Sequence, residues 1–225
     1  ITSGGAAADD AIGGARPHYR RICIVYGLLT LATIAALVVT DLDWFPAVTL
    51  ALTAVSTGGF APVKGSLGNI PPAAAACCLI ASVAAALPLV YYHLFYRRRM
   101  KSIFHEPQWK AMLLAIAVAT SLVALTLRGD GQSWSTALWQ AATQSASAQS
   151  GAGFSTAPVG QFPPAGRIVL IAAMFVGGAA GSTTGGTKLL RWLIVTKAAA
   201  RTIRRALTPR DAVVHARLGG DTLIQ

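Results

Sequence analysis

Hydrophobic residues in this chain fall in four long blocks rather than at the spacing of an amphipathic helix. The blocks are residues 22–40, 67–96, 111–127 and 168–187, and apart from His93 in the second they contain no charged or histidine side chain. About 20 apolar residues in a helix, at ~1.5 Å rise per residue, cross the hydrocarbon core of a bilayer. The pattern predicts four membrane-spanning helices. A buried helix of a large soluble protein is the alternative for any single block, but four blocks in series favour a membrane protein.

A shorter segment that ends in a glycine loop lies between the first two blocks and again between the last two. The segments 44–55 and 134–148 each begin with a tryptophan, contain no Lys or Arg, and are too short to cross a bilayer. The loops are Val-Ser-Thr-Gly-Gly-Phe-Ala (55–61) and Gln-Ser-Gly-Ala-Gly-Phe-Ser (149–155), which align without gaps at an offset of 153 − 59 = 94 residues. The repeat predicts two re-entrant pore helices, each followed by a loop that exposes carbonyl groups. Two interfacial amphipathic helices are the alternative, but such helices usually carry a basic face.

The pattern divides the chain into two units, each with an outer helix, a pore helix with its loop, and an inner helix. Residues 19–104 form the first unit and residues 105–210 the second. A flexible cytoplasmic segment, 1–18, precedes them, and a cytoplasmic tail, 211–225, follows them. Asp41 or Asp43 is expected to cap the first pore helix and Ser133 the second, while the inner helices are expected to begin at Pro72 and near Arg167. The fold class is therefore an all-α membrane protein.

Composition and charge agree with a membrane protein and argue against a nucleic-acid partner. Of 225 residues, 54% are hydrophobic and 12% charged, which is too apolar for an ordinary soluble domain. The net charge of +11 comes largely from clusters at span ends that share one side of the membrane, and the positive-inside rule makes that side the cytoplasm. Both ends of the chain are therefore expected in the cytoplasm. Nucleic-acid binding would instead need the clusters on one exposed face. The clusters are Arg16, Arg20, Arg21, Arg97, Arg98, Arg99, Lys101, Lys110, Arg191, Lys197, Arg201, Arg204 and Arg205.

The chain offers little material for catalysis or for a conventional metal site. Cys23, Cys77 and Cys78 lie in apolar blocks and are expected to be buried thiols rather than a disulfide framework. The four histidines lack metal-ligand spacing, and the eight acidic residues lie mostly in connections. We therefore expect no enzyme activity and no covalently bound cofactor.

The two glycine loops have the chemistry of a monovalent-cation filter. A cation leaves water only if oxygens replace its hydration shell, and backbone carbonyls can do so where glycine permits unusual dihedral angles. Thr57-Gly58-Gly59-Phe60 has the residue order of a potassium-channel filter strand. The hydroxyls of Thr57 and Ser150 are expected to add ligands, and Phe60 and Phe154 to wedge the loops against neighbouring helices. Carbonyl ligands fit K+ or Na+. The expected ligands are the carbonyls of Thr57, Gly58, Gly59, Gly151, Ala152 and Gly153.

A third glycine-rich stretch interrupts the last apolar block. It reads Gly-Gly-Ala-Ala-Gly-Ser-Thr-Thr-Gly-Gly-Thr-Lys, residues 177–188. A phosphate-binding loop is one interpretation, but Lys188 is misplaced for that motif and no strand precedes it. Glycine and hydroxyl residues in mid-span permit close helix packing or a break in the helix.

Together these residues resemble the Trk/Ktr/HKT superfamily of potassium transporters and, within it, the bacterial TrkH-type membrane subunit. The resemblance rests on Ser-Thr-Gly-Gly-Phe (56–60) after a Trp-initiated pore helix, Gly-Phe-Ser-Thr (153–156), and the glycine cluster followed by lysine; it covers residues 19–210. It implies that the two units are the third and fourth of four repeats around one pore, with Gly59 and Gly153 as filter glycines. It also implies a basic residue below the filter, Lys188 or Arg191, that acts as a barrier or gate. Either residue could instead mark the inner-leaflet end of the span.

The resemblance also implies a function and partners. These are potassium uptake across the bacterial inner membrane, driven by the electrochemical gradient, in a homodimer gated by a cytosolic nucleotide-binding subunit of the RCK/KTN type. K+ is then the transported ion. A secondary transporter of an organic substrate, built on broken helices, is the alternative. Thr184 and Thr187 stand where the family pattern has glycine and an aliphatic residue, and Gly151-Ala152 is more flexible than the usual second loop. Selectivity for K+ over Na+ therefore stays open.

Overall fold

The structure is a computed structural model that describes residues 15–87, 107–179, 182–207, 216–218 and 221–223. It divides into two compact units, Ile1–Leu189 and Leu190–Gln225. The helices of the described residues are α1 Ala15–Val39, α2 Trp44–Val55, α3 Pro72–Ala85, α4 Pro107–Gly129, α5 Trp134–Ser150, α6 Pro164–Val176 and α7 Leu189–Leu207. A two-stranded antiparallel hairpin of β1 Ala216–Leu218 and β2 Asp221–Leu223 follows in the second unit. Short 3-10 turns, Ser66–Asn69 and Val159–Gln161, precede α3 and α6.

In the part of the chain that the structure describes, two of the four predicted spans are continuous helices. Within the described residues, Ile22–Val39 in α1 and Gln108–Gly129 in α4 are long and apolar enough to cross a membrane, with mean hydropathies of 2.6 and 2.0. The helices α2, α3 and α6 are apolar but shorter, 12, 14 and 13 residues. The second predicted span is helical over α3. The predicted span begins within the 3-10 turn Ser66–Asn69, while residues 88–96, the basic loop 97–101 and the predicted boundary between the repeats at 104 lie outside the described residues.

The fourth predicted span is not one helix. Its helical part, α6, ends at Val176, and the described residues between α6 and α7, 177–179 and 182–188, are in neither helix nor strand. The backbone takes positive φ at Gly177, Gly186 and Lys188. Glycine adopts this conformation at little cost, so the glycine cluster permits a break in the helix. Of the two interpretations offered by the sequence, the break is correct for this stretch.

The two pore helices begin where their sequence signals placed them, but their N-termini differ. The amide N–H of Thr136 donates a hydrogen bond to Ser133 Oγ at 3.3 Å, so Ser133 caps α5 as predicted. Asp43 occupies the N-cap position of α2, but its side chain makes no capping hydrogen bond. Asp41 lies in the preceding turn at a φ of 60°. The expectation of an aspartate cap on α2 is therefore wrong in its chemistry, although the helix begins at the predicted residue.

This difference between the caps leads to a prediction. Replacing Ser133 by Ala in the full-length protein that contains this segment should lower the free energy of unfolding by about 1 kcal/mol, because an N-cap hydroxyl satisfies a helix N–H that is otherwise unpaired. The Asp43→Ala change should have a much smaller effect. Thermal unfolding in detergent measures both. An equal loss in the two variants would contradict the assignment of the caps.

The first compact unit has one apolar core for each helical repeat. The first core gathers residues of α1, α2 and α3, including Leu37, Leu50 and Cys78, each fully buried. It also takes in Ala152 and Phe154 from the loop after α5. The second core joins α4, α5 and α6. A third cluster joins the C-terminal end of α3 to α4 and to the break after α6. The two repeats therefore interlock rather than lie side by side.

The thiols follow the expected burial only in part. Cys78 in α3 is buried, but Cys77 is half-buried and Cys23 on α1 is exposed. The expectation of three buried thiols is therefore wrong for Cys23, because α1 presents that part of its surface away from the packed interior.

Candidate functional site

The two aligned glycine loops lie directly against each other. We call residues 56–60 the first filter loop and residues 150–154 the second filter loop. A Cβ atom built on Gly59 would lie 2.1 Å from the carbonyl oxygen of Ala152 and 3.3 Å from the carbonyl carbon of Gly153. No side chain fits in that space, so the backbones of the two loops meet at a position that only glycine can occupy.

The two filter loops share one backbone conformation. In the first, φ is positive at Thr57 (55°) and Gly59 (71°); in the second, it is positive at Gly151 (68°) and Gly153 (76°). These positions correspond at the offset of 94 residues. In an extended strand successive residues face opposite sides, and a positive φ at every second residue interrupts that alternation. The conformation can therefore turn neighbouring carbonyl groups of one loop toward the same side.

Each loop is fastened to the end of its pore helix by the same hydrogen bond. The N–H of Gly58 donates to the carbonyl of Thr53 at 2.8 Å, and the N–H of the aligned residue, Ala152, donates to the carbonyl of Ser147 at 3.1 Å. Both loops therefore begin at the C-terminal end of a helix, where the helix dipole places partial negative charge. That end of a helix favours a cation close to the loop.

The two predicted hydroxyl ligands are already engaged in hydrogen bonds. Ser150 is fully buried, and its hydroxyl donates to the carbonyl of Ser147 in its own helix at 3.2 Å. The hydroxyl of Thr57 contacts the carbonyl of Ser56 at 2.7 Å and the hydroxyl of Thr183 at 3.2 Å. Their oxygens retain lone pairs, but both side chains also hold the local backbone.

The second half of α5 carries polar residues that the sequence analysis did not single out. The hydroxyl of Ser147 donates to the carbonyl of Phe154 at 2.6 Å, and Gln144 Nε2 donates to Ser155 Oγ at 3.0 Å. Thr143 and Thr156 pair their hydroxyls at 2.7 Å. These bonds hold residues 154–156, at the end of the second filter loop and just after it, against the pore helix α5. The signal was present: residues 143–150 are rich in Ser, Thr and Gln, whereas α2 is apolar.

A short segment of the first repeat also holds the second filter loop. The N–H of Leu67 donates to the carbonyl of Ser155 at 2.9 Å, and the N–H of Ser155 donates to Ser66 Oγ at 3.1 Å. A Cβ on Gly68 would lie 2.9 Å from the carbonyl oxygen of Thr156. The 3-10 turn Ser66–Asn69, which follows the first filter loop, is thus hydrogen-bonded to the residues that follow the second filter loop.

The two aligned phenylalanines differ sharply in exposure. Phe154 is 2% exposed and packs in the core of the first repeat, as its predicted wedging role requires. Phe60 is 77% exposed. In this segment the predicted wedge is therefore present in the second loop and absent in the first.

The break after α6 lies against both filter loops. The amide of Gln149, a buried residue of α5, donates to the carbonyl of Gly177 at 2.5 Å. A Cβ on Gly151 would lie 3.4 Å from the backbone nitrogen of Gly185, and Thr183 contacts Thr57 as described above. The stretch 177–188 therefore contacts the start of each filter loop.

The two basic candidates lie in different compact units. The Lys188 ammonium is half-buried and donates to the carbonyl of Ser182 at 3.2 Å, and to the carbonyl and hydroxyl oxygens of Thr184. Arg191 lies in α7 of the second unit, where its side chain is exposed. The structure thus brings Lys188, but not Arg191, into the first unit with the two filter loops.

Comparison with known families agrees with this arrangement. The model of the family described as "TrkH: Cation transport protein" matches residues 22–225. The chain belongs to the TrkH family. The resemblance found in the sequence is thereby confirmed.

Relatives within the TrkH family carry potassium uptake in their names. The "Trk system potassium uptake protein TrkH" of Halomonas elongata is 29% identical over 199 residues, which is 87% of this chain and 41% of that protein. Its namesake in Salmonella typhimurium is 28% identical over 209 residues, 91% of this chain and 43% of that protein. The crystal structure of the potassium transporter TrkH from Vibrio parahaemolyticus matches 99% of this chain with a TM-score of 0.80 at 25% identity.

The chain spans less than half the length of these TrkH relatives. It covers 48% of the Vibrio TrkH chain. The all-α membrane fold class expected from the sequence is confirmed by this likeness. The β1–β2 hairpin, with Ala216 paired to Leu223, is a small addition that the sequence analysis did not predict.

Proposed function

We propose that this chain forms half of a potassium uptake pore, the third and fourth repeats of a four-repeat subunit. The observation that carries the proposal is the contact between two loops of the same backbone conformation, each fastened to the carbonyl end of a pore helix. Two such loops provide half of a ring of carbonyl groups. A cation that enters the ring exchanges its water for these oxygens.

The exposure of aligned residues supports a closed ring of repeats. Phe154 is covered by the core of the repeat before it, whereas the equivalent Phe60 is exposed. Gly59 touches the following loop, whereas a Cβ on Gly153 would have no atom of the described residues within 4 Å. If the preceding repeat covers Phe60 and the next loop abuts Gly153, both differences between the repeats disappear. The two edges are where the rest of the full-length protein would pack.

Transport through this ring needs no covalent chemistry. The proposed ligands are the carbonyls of residues 57–59 and 151–153, and K+ is the transported ion rather than a resident cofactor. A membrane potential of 100 mV favours inward movement of one monovalent cation by about 2.3 kcal/mol. The helix ends behind each loop add a favourable negative potential.

A positive charge close to the pathway would act as a local barrier for cations. Lys188 and Arg191 are the two candidates. Because the Lys188 ammonium is turned toward carbonyl groups of its own loop, we propose Arg191 for this role. Neutralising Arg191 would then raise uptake without changing which ion is preferred.

We further propose a bacterial inner-membrane location, with both ends of this segment in the cytoplasm, and a homodimer gated by a cytosolic nucleotide-binding subunit of the RCK/KTN type. The distribution of basic residues supports the orientation. The exposed Lys197 on α7 belongs to a basic segment that would face the regulatory subunit or the lipid headgroups.

The ring proposal leads to a prediction about the two phenylalanines. In the full-length protein, Phe60→Ala and Phe154→Ala should each lower the free energy of unfolding by roughly 3–5 kcal/mol, the usual loss for a buried phenylalanine. Thermal unfolding in detergent measures both. Exposed Phe45 on α2 gives a matched control, and its replacement should cost far less. A Phe60→Ala variant as stable as this control would show that no repeat covers the first loop.

The function itself is tested by uptake of radioactive Rb+ into proteoliposomes that hold the full-length protein, with and without excess Na+. We expect uptake that resists Na+ and that collapses or loses selectivity in the Gly59→Ser and Gly153→Ser variants. If Na+ inhibited uptake as strongly as K+ does, the pore would still be supported, but a preference for K+ would be refuted. A folded, regulator-supplemented protein without any flux would move the assignment to a transporter of an organic substrate.

A further inference from the structure

The stretch 182–188, which we call the basal loop, is closed by its own lysine. The Lys188 ammonium donates to the carbonyl of Ser182 at 3.2 Å, to the carbonyl of Thr184, and to the hydroxyl of Thr184 at 3.2 Å. Three oxygen atoms of one short loop thus surround one ammonium group. Bonds of this kind, in which the donor is charged, are stronger than those between neutral groups.

Thr184 is the centre of this arrangement. The residue is 4% exposed, and its hydroxyl contacts Lys188 Nζ, the hydroxyl of Ser182 at 2.7 Å, and the backbone N–H of Gly178 at 3.2 Å. It therefore connects the first part of the break to the last. The family pattern expected from the sequence has glycine here, which offers no such hydroxyl. The threonine at position 184, where the family pattern has glycine, therefore has a structural role in this chain.

The basal loop contacts both filter loops through residues next to this centre. Thr183, adjacent to Thr184, meets the hydroxyl of Thr57 in the first filter loop at 3.2 Å. Gly185, on the other side of Thr184, lies next to Gly151 in the second filter loop, and the α-carbon of Thr184 would be 3.7 Å from a Cβ there. Thr57 and Gly151 are the aligned positions at which each filter loop first takes a positive φ. One small loop therefore supports the same position of both filter loops.

The backbone of Lys188 has an unfavourable conformation, which its ammonium contacts help to maintain. Its φ is +68°, in the left-handed region that side-chain-bearing residues rarely adopt. A lysine remains in such a conformation only when surrounding interactions hold it there. The ammonium contacts to Ser182 and Thr184 are interactions of this kind.

We propose that Lys188 is a positioning residue for cation selectivity: its ammonium acts as a tethered cation that closes the basal loop and holds Thr183 and Gly185 against the two filter loops. The proposal rests on the proposed pore function. It differs from a barrier role, in which the charge of Lys188 repels the permeating ion. A barrier limits the rate for all cations alike, whereas a positioning residue sets the geometry that distinguishes one ion from another.

Three variants of the full-length protein in proteoliposomes separate the two roles. Lys188→Met removes the ammonium, Thr184→Val removes the central hydroxyl with little change of shape, and Thr184→Ser keeps that hydroxyl. We expect the preference for Rb+ over Na+ to fall by about tenfold in the first two, the size of one lost charge-assisted hydrogen bond, and to be retained in the third. Increased uptake with unchanged preference in Lys188→Met, together with a normal Thr184→Val, would identify a barrier and overturn the proposal.

A second measurement follows the basal loop without any need for transport. Because the hydroxyls of Thr57 and Thr183 are 3.2 Å apart, cysteines at both positions should form a disulfide under mild oxidation, quantified by mass spectrometry of the linked peptides. We expect its yield to fall at least threefold when Lys188→Met is added and to stay unchanged when Lys197→Gln, on exposed α7, is added instead. An unchanged yield with Lys188→Met would refute the positioning role. A parent protein without Rb+ uptake would refute the proposed function, and the cross-link would still decide the role of Lys188.

Discussion

A Gly59→Ala variant of the full-length protein is expected to lose most of its Rb+ uptake and its preference for Rb+ over Na+. The added methyl group would lie 2.1 Å from the Ala152 carbonyl oxygen, a proposed ligand of the ion, at a φ of +71°. The left-handed conformation alone costs an alanine roughly 1–2 kcal/mol. The collision adds to this cost, because one of two backbones must move. We expect uptake to fall by more than about tenfold, since 1.4 kcal/mol already corresponds to tenfold in an equilibrium.

Gly58→Ala is the matched control in the same loop. Its Cβ would lie 3.2 Å from the hydroxyl oxygen of Ser56, with a ring carbon of Phe60 and the carbonyl oxygen of Thr53 at ordinary contact distances of 3.8 and 3.9 Å, and its φ is outside the left-handed region. Ser56 can rotate that hydroxyl away, so uptake and ion preference should change much less. Similar losses of uptake in Gly58→Ala and Gly59→Ala would show that an added methyl group impairs this loop at either position. The contact between Gly59 and Ala152 would then not explain the effect of Gly59→Ala.

Gly153→Ala extends the same test to the ring of repeats. Among the described residues no atom lies within 4 Å of its added methyl group, so the φ of +76° is what opposes the change in this segment. If another repeat abuts Gly153 in the full-length protein as Ala152 abuts Gly59, the two variants should be equally impaired. A clearly milder effect of Gly153→Ala would argue against four equivalent contacts around the pathway.

The elements that deliver the filter loops could be predicted from the sequence because their signals are local. Trp44 and the turn before it mark the start of α2, and the prediction of a helix over 44–55 matches the structure. Residue type predicts the Ser133 cap, although Asp43, of an equally favoured type, occupies the N-cap position of α2 without a capping bond. The two loops could be aligned because Gly59 and Gly153 recur with phenylalanine beside them. A loop that needs unusual backbone dihedral angles needs glycine at particular positions, and in a repeat these glycines occur at two aligned positions.

The connections among the loops could not be predicted, because they depend on which surfaces meet. The glycine stretch 177–188 permits either close helix packing or a break, and residue types alone do not decide between them or place the end of α6 at Val176. The exposures of Phe60 and Phe154 differ although their local sequences align, since burial is decided by the neighbouring repeat. The hydroxyl of Thr184 looked like a departure from a pattern, and only the fold shows that Lys188 and Gly178 meet there.

Gly177→Ala is expected to be the most destabilising single substitution in the break after α6. Gly177 has φ 69° and ψ −167°, a region open in practice only to glycine. A Cβ there would lie 2.3 Å from the carbonyl oxygen of Gly185, and the carbonyl of Gly177 also accepts the hydrogen bond from Gln149. Conformational strain and a backbone collision act together, so the variant should lose roughly 3–5 kcal/mol of unfolding free energy.

Gly185→Ala is the control for this prediction, because it changes the other residue of the same contact. No atom in the part of the chain that the structure describes lies within 4 Å of its added methyl group, and its φ is outside the left-handed region. Its unfolding free energy should change by no more than about 0.5 kcal/mol, the usual range for an open site. Thermal unfolding of the two full-length variants in detergent makes the comparison. Equal stability would mean that the break can move away from α5 at little cost, and the contact between Gln149 and Gly177 would then not fix the start of the break.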